Sequence, residues 1–164
     1  MSYLPLIVDA DGGQRIAGPT GRPMIVKLHS TATLGAYSLI EYEHLAGAPG
    51  PPAHIHREHE EAFRVLDGEL TLDVEGSTFT IGPGGYAVVP RGAVHRPRNG
   101  GTVPVWFFFI TSPAMDGFFL EMAELNAATG GAPTPAALAE LGARWDTIFT
   151  DLPTVGSVRM TVER

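Results

Sequence analysis

Three of the chain's six histidines lie in one stretch, Ala53-His54-Ile55-His56-Arg57-Glu58-His59-Glu60-Glu61. In an extended strand residues i and i+2 share a face, so His54 and His56 point the same way. Two imidazoles at that separation can grip one ion, although a polar, solvated loop would collect the same residues. His95 sits in a turn-rich frame, Gly84, Pro90, Gly92, His95 and Asn99, that delivers a further imidazole to a fixed place. With no cysteine present, disulfides, thiolate zinc sites and cysteine nucleophiles are excluded. Any metal must therefore be held by imidazole and carboxylate.

The elements that must position these residues are short and heavily punctuated. Gly 20 and Pro 14 make up about a fifth of the 164 residues, too much turn-forming material for a helical bundle. The length suits one domain with a real core. Residues 1–22 read as an entry arm. From 23 to about 111, β-rich runs alternate with Gly/Pro turns, the pattern of an antiparallel barrel. Met24, Val26 and Leu28 alternate with polar neighbours, residues 36–44 form a second run, and Asp67-Gly68 after residues 61–66 is a hairpin signal. Leu70, Leu72 and Val74 mark a half-buried strand, Glu75-Gly76 turns it into 77–81, and 103–110 reads as a buried strand. A helical segment follows over about 112–148. Ser112-Pro113 resembles a cap with a first-turn proline, and Phe118, Met122 and Leu125 fall on one face. Thr134-Pro135 repeats the signal ahead of Leu138, Leu141 and Trp145. Residues 154–163 are expected as a final strand. The two helices are too short for a core of their own, so they must pack on the barrel.

The formal charge of −7 and sequence pI of about 5.2 exclude a phosphate-binding basic face, so no nucleic-acid partner is expected. The apolar run 103–110 is far too short to span a bilayer, and no membrane partner is expected. The first residues lack the basic region and cleavage site of a signal peptide, which gives a cytoplasmic expectation.

The spacing of the histidine motifs resembles that of the cupins. Their first motif has the form His-x-His, three or four residues, Glu, six residues, Gly. His54, His56, Glu61 and Gly68 fit it. The second motif matches at Gly84, Pro90, Gly92, His95 and Asn99, while the leading glycine of the first is replaced by Ala48, flanked by Gly47 and Gly50. The resemblance covers about residues 35–110. It implies an all-β fold, a double-stranded β-helix or jelly-roll-like barrel with a short C-terminal helical segment. Inside would lie one divalent transition metal ion (Fe, Mn, Ni, Co, Cu or Zn) bound by His54, His56, Glu61 and His95. Glu60 competes for the carboxylate place, but the count to Gly68 and the face shared with Phe63 and Val65 favour Glu61. Glu60 and a solvated His59 are expected in the preceding turn, and His29 and His44 as ordinary strand histidines.

Three imidazoles and one carboxylate leave one or two coordination positions open on a five- or six-coordinate ion, and an open position separates catalytic from closed structural sites. Tyr37, Phe63, Phe79, Trp106 and Phe108, in or beside barrel strands, are the candidate pocket wall for a flat phenolic or polyketide-like molecule. The stretch 52–70, with its double proline and Glu-Ala-Phe-Arg-Val-Leu-Asp-Gly-Glu-Leu run, is similar to small bacterial quercetinase-like dioxygenases, as is the tail near Gly117-Phe118-Phe119. That resemblance implies cleavage of a metal-bound flavonol by O2 with loss of CO, Glu61 being both ligand and catalytic base. A non-redox aromatic-polyketide cyclase and a non-enzymatic ligand-binding cupin are the alternative readings. The expected partners are a small aromatic or polyketide-like substrate and O2, and the expected assembly is a homodimer.

Overall fold

The computed structural model describes residues 4–19, 21–130 and 132–151. Alternating apolar residues make most of the segments strands with one wet and one dry face. β1 (Gln14–Ala17), β2 (Pro23–Leu28), β3 (Ser38–His44), β5 (Glu60–Asp67), β8 (Tyr86–Val89) and β10 (Val105–Ser112) form a six-stranded sheet, in the order β1-β2-β3-β10-β5-β8. A second sheet contains β4 (His54–Ile55), β6 (Leu70–Val74), β7 (Ser77–Ile81), β9 (His95–Arg98) and β11 (Ile148–Phe149), in the order β11-β4-β9-β6-β7. Every pairing is antiparallel. The sheets face each other as a jelly-roll barrel, the double-stranded β-helix that the sequence implies.

The core lies between the sheets, with Val26, Ile40, Phe63, Val65 and Phe107 of the first sheet in one cluster with Leu70 and Leu72 of the second. Parity decides which side chains enter it. Phe107 is 1% exposed and its neighbour Trp106 49%, so β10 buries one face and not two. Truncating a residue like Phe107 to Ala costs about 3–5 kcal/mol.

Several elements differ from the sequence reading. The supposed entry arm contributes β1, whose Ile16 lies opposite Met24. Asp67-Gly68 is no hairpin: β5 and β6 belong to different sheets, and the chain crosses between them there. Gly68 has φ 75°, and an added Cβ would lie 2.5 Å from the Pro104 carbonyl oxygen, so glycine serves a close crossing of backbones. The real hairpin joins β6 to β7 through Glu75 (φ 49°) and Gly76 (φ 76°), both left-handed as a type I′ turn requires. Ser112-Pro113 does not cap a helix, because β10 runs through Ser112 and the helix begins later. α1 (Asp116–Thr129) and α2 (Pro135–Arg144) follow, and Thr134 Oγ1 accepts from the Ala137 N–H as an N-cap. β11 replaces the end of the supposed helical segment, and the strand expected at 154–163 lies outside the described residues.

α1 packs on the barrel core through Phe119, Leu120 and Ala123, and Met115, Phe118 and Leu141 form a second cluster with Met122, Trp145 and Phe149 that ties the two helices to β11. Gly117 allows this: a Cβ there would sit 2.1 Å from the Trp145 ring. Among the described residues no helix is long and apolar enough to cross a membrane.

Candidate metal centre

His54, His56, Glu61 and His95 converge, with one potential ligand atom from each lying within 4.8 Å of the others. All four are buried. Each is delivered by a different local device. Glu61 points inward from β5 by the same parity as Phe63 and Val65, while Glu60 is exposed. His54 pairs with His95 across β4 and β9. On β9, His95 and Pro97 face in while Arg96 and Arg98 face out, where both bind Asp73 of β6 and pin the strand. His56 lies just beyond β4 and is steadied from the other end of the chain.

The three imidazoles share one arrangement. Nδ1 of His54 lies 2.9 Å from the Pro52 carbonyl oxygen, Nδ1 of His56 2.9 Å from that of Asp146, and Nδ1 of His95 3.1 Å from that of Ala93. A carbonyl only accepts, so in the neutral ring each Nδ1 carries the proton and each Nε2 keeps its lone pair. Outward hydrogen bonds of this kind orient histidine ligands toward metals. His95 Nε2 lies 3.1 Å from Glu61 Oε2. His56 Nε2 lies 3.6 Å from Glu61 Oε1, within ion-pair range but too far for a hydrogen bond, and it is buried with no other partner.

These features fit a metal. At ligand bonds of about 2.1 Å, adjacent ligands sit roughly 3.0–3.4 Å apart, close to the two Glu61 separations. The orphaned His56 nitrogen is what an ion would satisfy. The electrostatics agree. Burial, reinforced by His95, pushes His54 down to about 4, so its ring is neutral near pH 7. Burial alone would push Glu61 up, but His56 and His95 facing it hold it well below the usual carboxylate range. Burial lowers His56 too, and the Glu61 carboxylate outweighs that and raises it. A buried anion among imidazoles is an environment that attracts a cation.

Asp146 organises the loop around His56. With φ 51°, it turns its carboxylate onto the N–H groups of Arg57, Glu58 and His59 at 3.1, 2.6 and 3.2 Å. The same carboxylate lies 2.8 Å from His59 Nδ1, so His59 is an anchored group and not a solvated one. Thr147 Oγ1 also lies 3.4 Å from His56 Nδ1.

Above the cluster opens a cavity of about 790 Å³, roomy for a drug-sized molecule. Its aromatic wall includes Tyr42, Phe63, Phe107, Phe109, Phe118 and Phe119. Of the five expected pocket residues only Phe63 lines it. Tyr37 (40% exposed) precedes β3, and Phe79 (54%) and Trp106 (49%) face outward. Phe108 has the outward parity of β10, which is set by the pairing of Phe109 with Phe63. That pairing could have been inferred, since an inward Glu61 makes Phe63 inward and its partners follow. His44 was also missed. By parity with Ile40 and Tyr42 it points inward, lines the cavity and is 3% exposed. No local pattern marks Asp146 or Thr147. His29 lies 3.2 Å from Asp116 at the start of α1, far from any ligand role.

Residues 41–111 match the cupin domain family. An uncharacterized protein of Aquifex aeolicus (strain VF5) is 41% identical over 64 residues, 39% of this chain and 52% of its own length. Quercetin 2,3-dioxygenase of Bacillus subtilis (strain 168) is 30% identical over 97 residues, 58% of this chain and 28% of that enzyme. The chain thus spans about half of the first relative and little more than a quarter of the second. Among solved structures, the polyketide cyclase RemF from Streptomyces resistomycificus shares the fold. Its TM-score is 0.56 at 22% identity, covering 66% of this chain and 80% of that one.

Proposed function

From the premise that this chain carries a cupin domain, we propose that it is a metal-dependent dioxygenase that opens the ring of a flavonol or a similar flat hydroxyketone. The observation that carries this reading is the convergent His54, His56, Glu61 and His95 set at the base of an aromatic cavity. The similarity to a quercetin 2,3-dioxygenase supports the reaction class.

His54, His56, Glu61 and His95 would hold the ion, which when bound supplies Lewis acidity toward a substrate oxygen and, if redox-active, access for dioxygen. Glu61 is the base. Its carboxylate is ionised in the resting site and is the carboxylate of the convergent set. A substrate hydroxyl entering over the cluster gives its proton to a Glu61 oxygen, the substrate O–H breaking as the glutamate O–H forms. Phe63, Phe107 and Phe109 bind the flat ring and exclude water that would return the proton. The backbone carbonyls behind the three histidines keep the rings from turning during these events.

The test is to load the metal-free protein separately with Fe, Mn, Co, Ni, Cu and Zn and follow oxygen uptake and CO release with flavonols. Equimolar uptake and release with a redox-active ion, and none with zinc, is the expected result. No uptake with any ion, together with oxygen-independent ring closure of a polyketide chain, would replace the dioxygenase reading by a cyclase.

A further inference from the structure

Away from the four-residue cluster, two buried polar atoms on cavity-lining residues lack a hydrogen-bond partner among the described residues: Nδ1 of His44 and Oδ1 of Asn126. Both belong to the end of the cavity remote from Glu61. Glu61 lies opposite Thr111, and Thr111 opposite Ser38. His44 lies opposite Val105, six residues further along β10, an offset of about 20 Å at 3.3 Å per residue. α1 makes the same journey. The Met115 N–H donates to Ser38 Oγ and Thr111 Oγ1, which fixes the start of the helix at the Glu61 level. Asn126 comes ten residues after Asp116, about 15 Å along the axis, and the helix packs against β1 and β3. Phe109 and Phe107 occupy the levels between.

The His44 ring is fixed by edge contacts to Tyr42 (centroids 4.7 Å apart) and Phe107 (5.1 Å). Leaving a buried polar atom without a partner is destabilising, and in a cavity wall a ligand can remove that penalty.

We propose that His44 and Asn126 form a polar subsite that recognises hydroxyl groups at the end of the substrate remote from the metal cluster. This deepens, and rests on, the reading of the site as one for a flat hydroxylated aromatic. Asn126 Oδ1 can only accept, so it selects a hydroxyl donor over hydrogen or methyl. His44, which burial holds at a pKa of about 4, is a neutral ring with one donor and one acceptor nitrogen, and a hydroxyl satisfies either. Both groups line the same cavity, where the hydroxyls of a phenolic ring end would meet them, while the phenylalanines between them and the cluster accept any aromatic face.

The test uses zinc-loaded protein under anaerobic conditions, so that binding is read without turnover. Dissociation constants are measured for 3-hydroxyflavone and for quercetin, its more hydroxylated counterpart, by absorbance titration. The proteins are the wild type, His44→Leu, His44→Gln and Asn126→Leu. The wild type is expected to favour quercetin by tenfold or more. His44→Leu and Asn126→Leu each reduce that ratio about tenfold, with zinc content and 3-hydroxyflavone affinity unchanged, and His44→Gln restores part of it. A ratio that survives either Leu substitution, or equal weakening toward both ligands, overturns the paired subsite while leaving the flavonol reading standing. Failure of both flavonols to bind the zinc-loaded wild type overturns that reading and the subsite with it. If His44→Leu does not fold, His44→Gln and Asn126→Leu still decide the outcome.

Discussion

Replacing Asp146 by Asn removes one charge at a residue that is not itself a candidate ligand, and it should loosen metal binding. Asn tolerates the left-handed backbone at this position, so the change isolates the carboxylate from the turn. The carboxylate accepts from the N–H groups of Arg57, Glu58 and His59 and faces the His59 ring. An amide can still accept through its oxygen, but its NH2 cannot, so even with that oxygen turned toward Glu58 and His59 the Arg57 N–H loses its partner, and the bonds that remain lose their charge assistance. Each of these two losses costs about 1 kcal/mol in this exposed loop, roughly 2 kcal/mol in all. For a chain of this size that lowers Tm by roughly 4–8 °C. The loop it releases carries His56, whose Nδ1 rests on the Asp146 carbonyl, so zinc affinity should fall about 10- to 100-fold. Calorimetric melting of metal-free protein and competition titration with a chelating dye measure the two effects. If Asp146→Asn melted within 1 °C of wild type and bound zinc within about twofold, the account of how His56 is aimed would be wrong.

Glu61→Gln, checked for full metal content, should lose at least ~100-fold in kcat, because Gln keeps a possible oxygen ligand but no basicity; near wild-type turnover would sink the base role. His95→Ala should abolish stoichiometric metal binding while circular dichroism still reports a folded barrel, and retained binding would remove His95 from the set. His44 contributes a pH dependence. Its folded pKa of about 4 lies below the ordinary 6.5, so stability is full above 6.5 and is lost as pH falls toward 4, on the order of 3 kcal/mol. Urea unfolding at a series of pH values should show a loss smaller by about that amount in His44→Gln than in wild type, the remainder coming from His54, and parallel profiles would contradict it. Ending the chain after Thr111 uncovers Phe109 and Phe63 and removes β11, one of the two partners of β4, so strong binding of a hydrophobic dye is expected; a soluble, dye-silent truncation would deny the helices a packing role.

The four candidate ligands were legible because the motifs of the family that the chain resembles are local: a period of two aligns His54 with His56, and the motif spacing to Gly68 and around His95 singled out Glu61 and His95. The barrel was legible for the same reason. The wall was not. Trp106 and Phe108 were chosen from a run in which every residue is apolar, and only the partnership of β10 with β5 says that Phe107 and Phe109 face in. His44 stood outside any motif, yet its parity with Ile40 sufficed to place it inside. Asp67-Gly68 misled because a positive φ serves equally a hairpin and a crossing between sheets, and the residue it must clear, Pro104, is far along the chain. Asp146 acts through its backbone carbonyl and a turn, which no residue pattern announces.

That long-range support has a consequence for biosynthesis. A nascent chain possesses all four candidate ligands once His95 has been made, but the carbonyl that aims His56 belongs to Asp146, 51 residues later. A ribosome covers that interval in roughly 3–10 s at about 5–20 residues per second. Throughout it the imidazoles are present but His56 is free to turn, so an early encounter with a metal ion meets a weak chelator. Tight capture begins only when the helices have docked and the Asp146 turn has closed. The topology would thereby order two events, folding before any metal is held tightly.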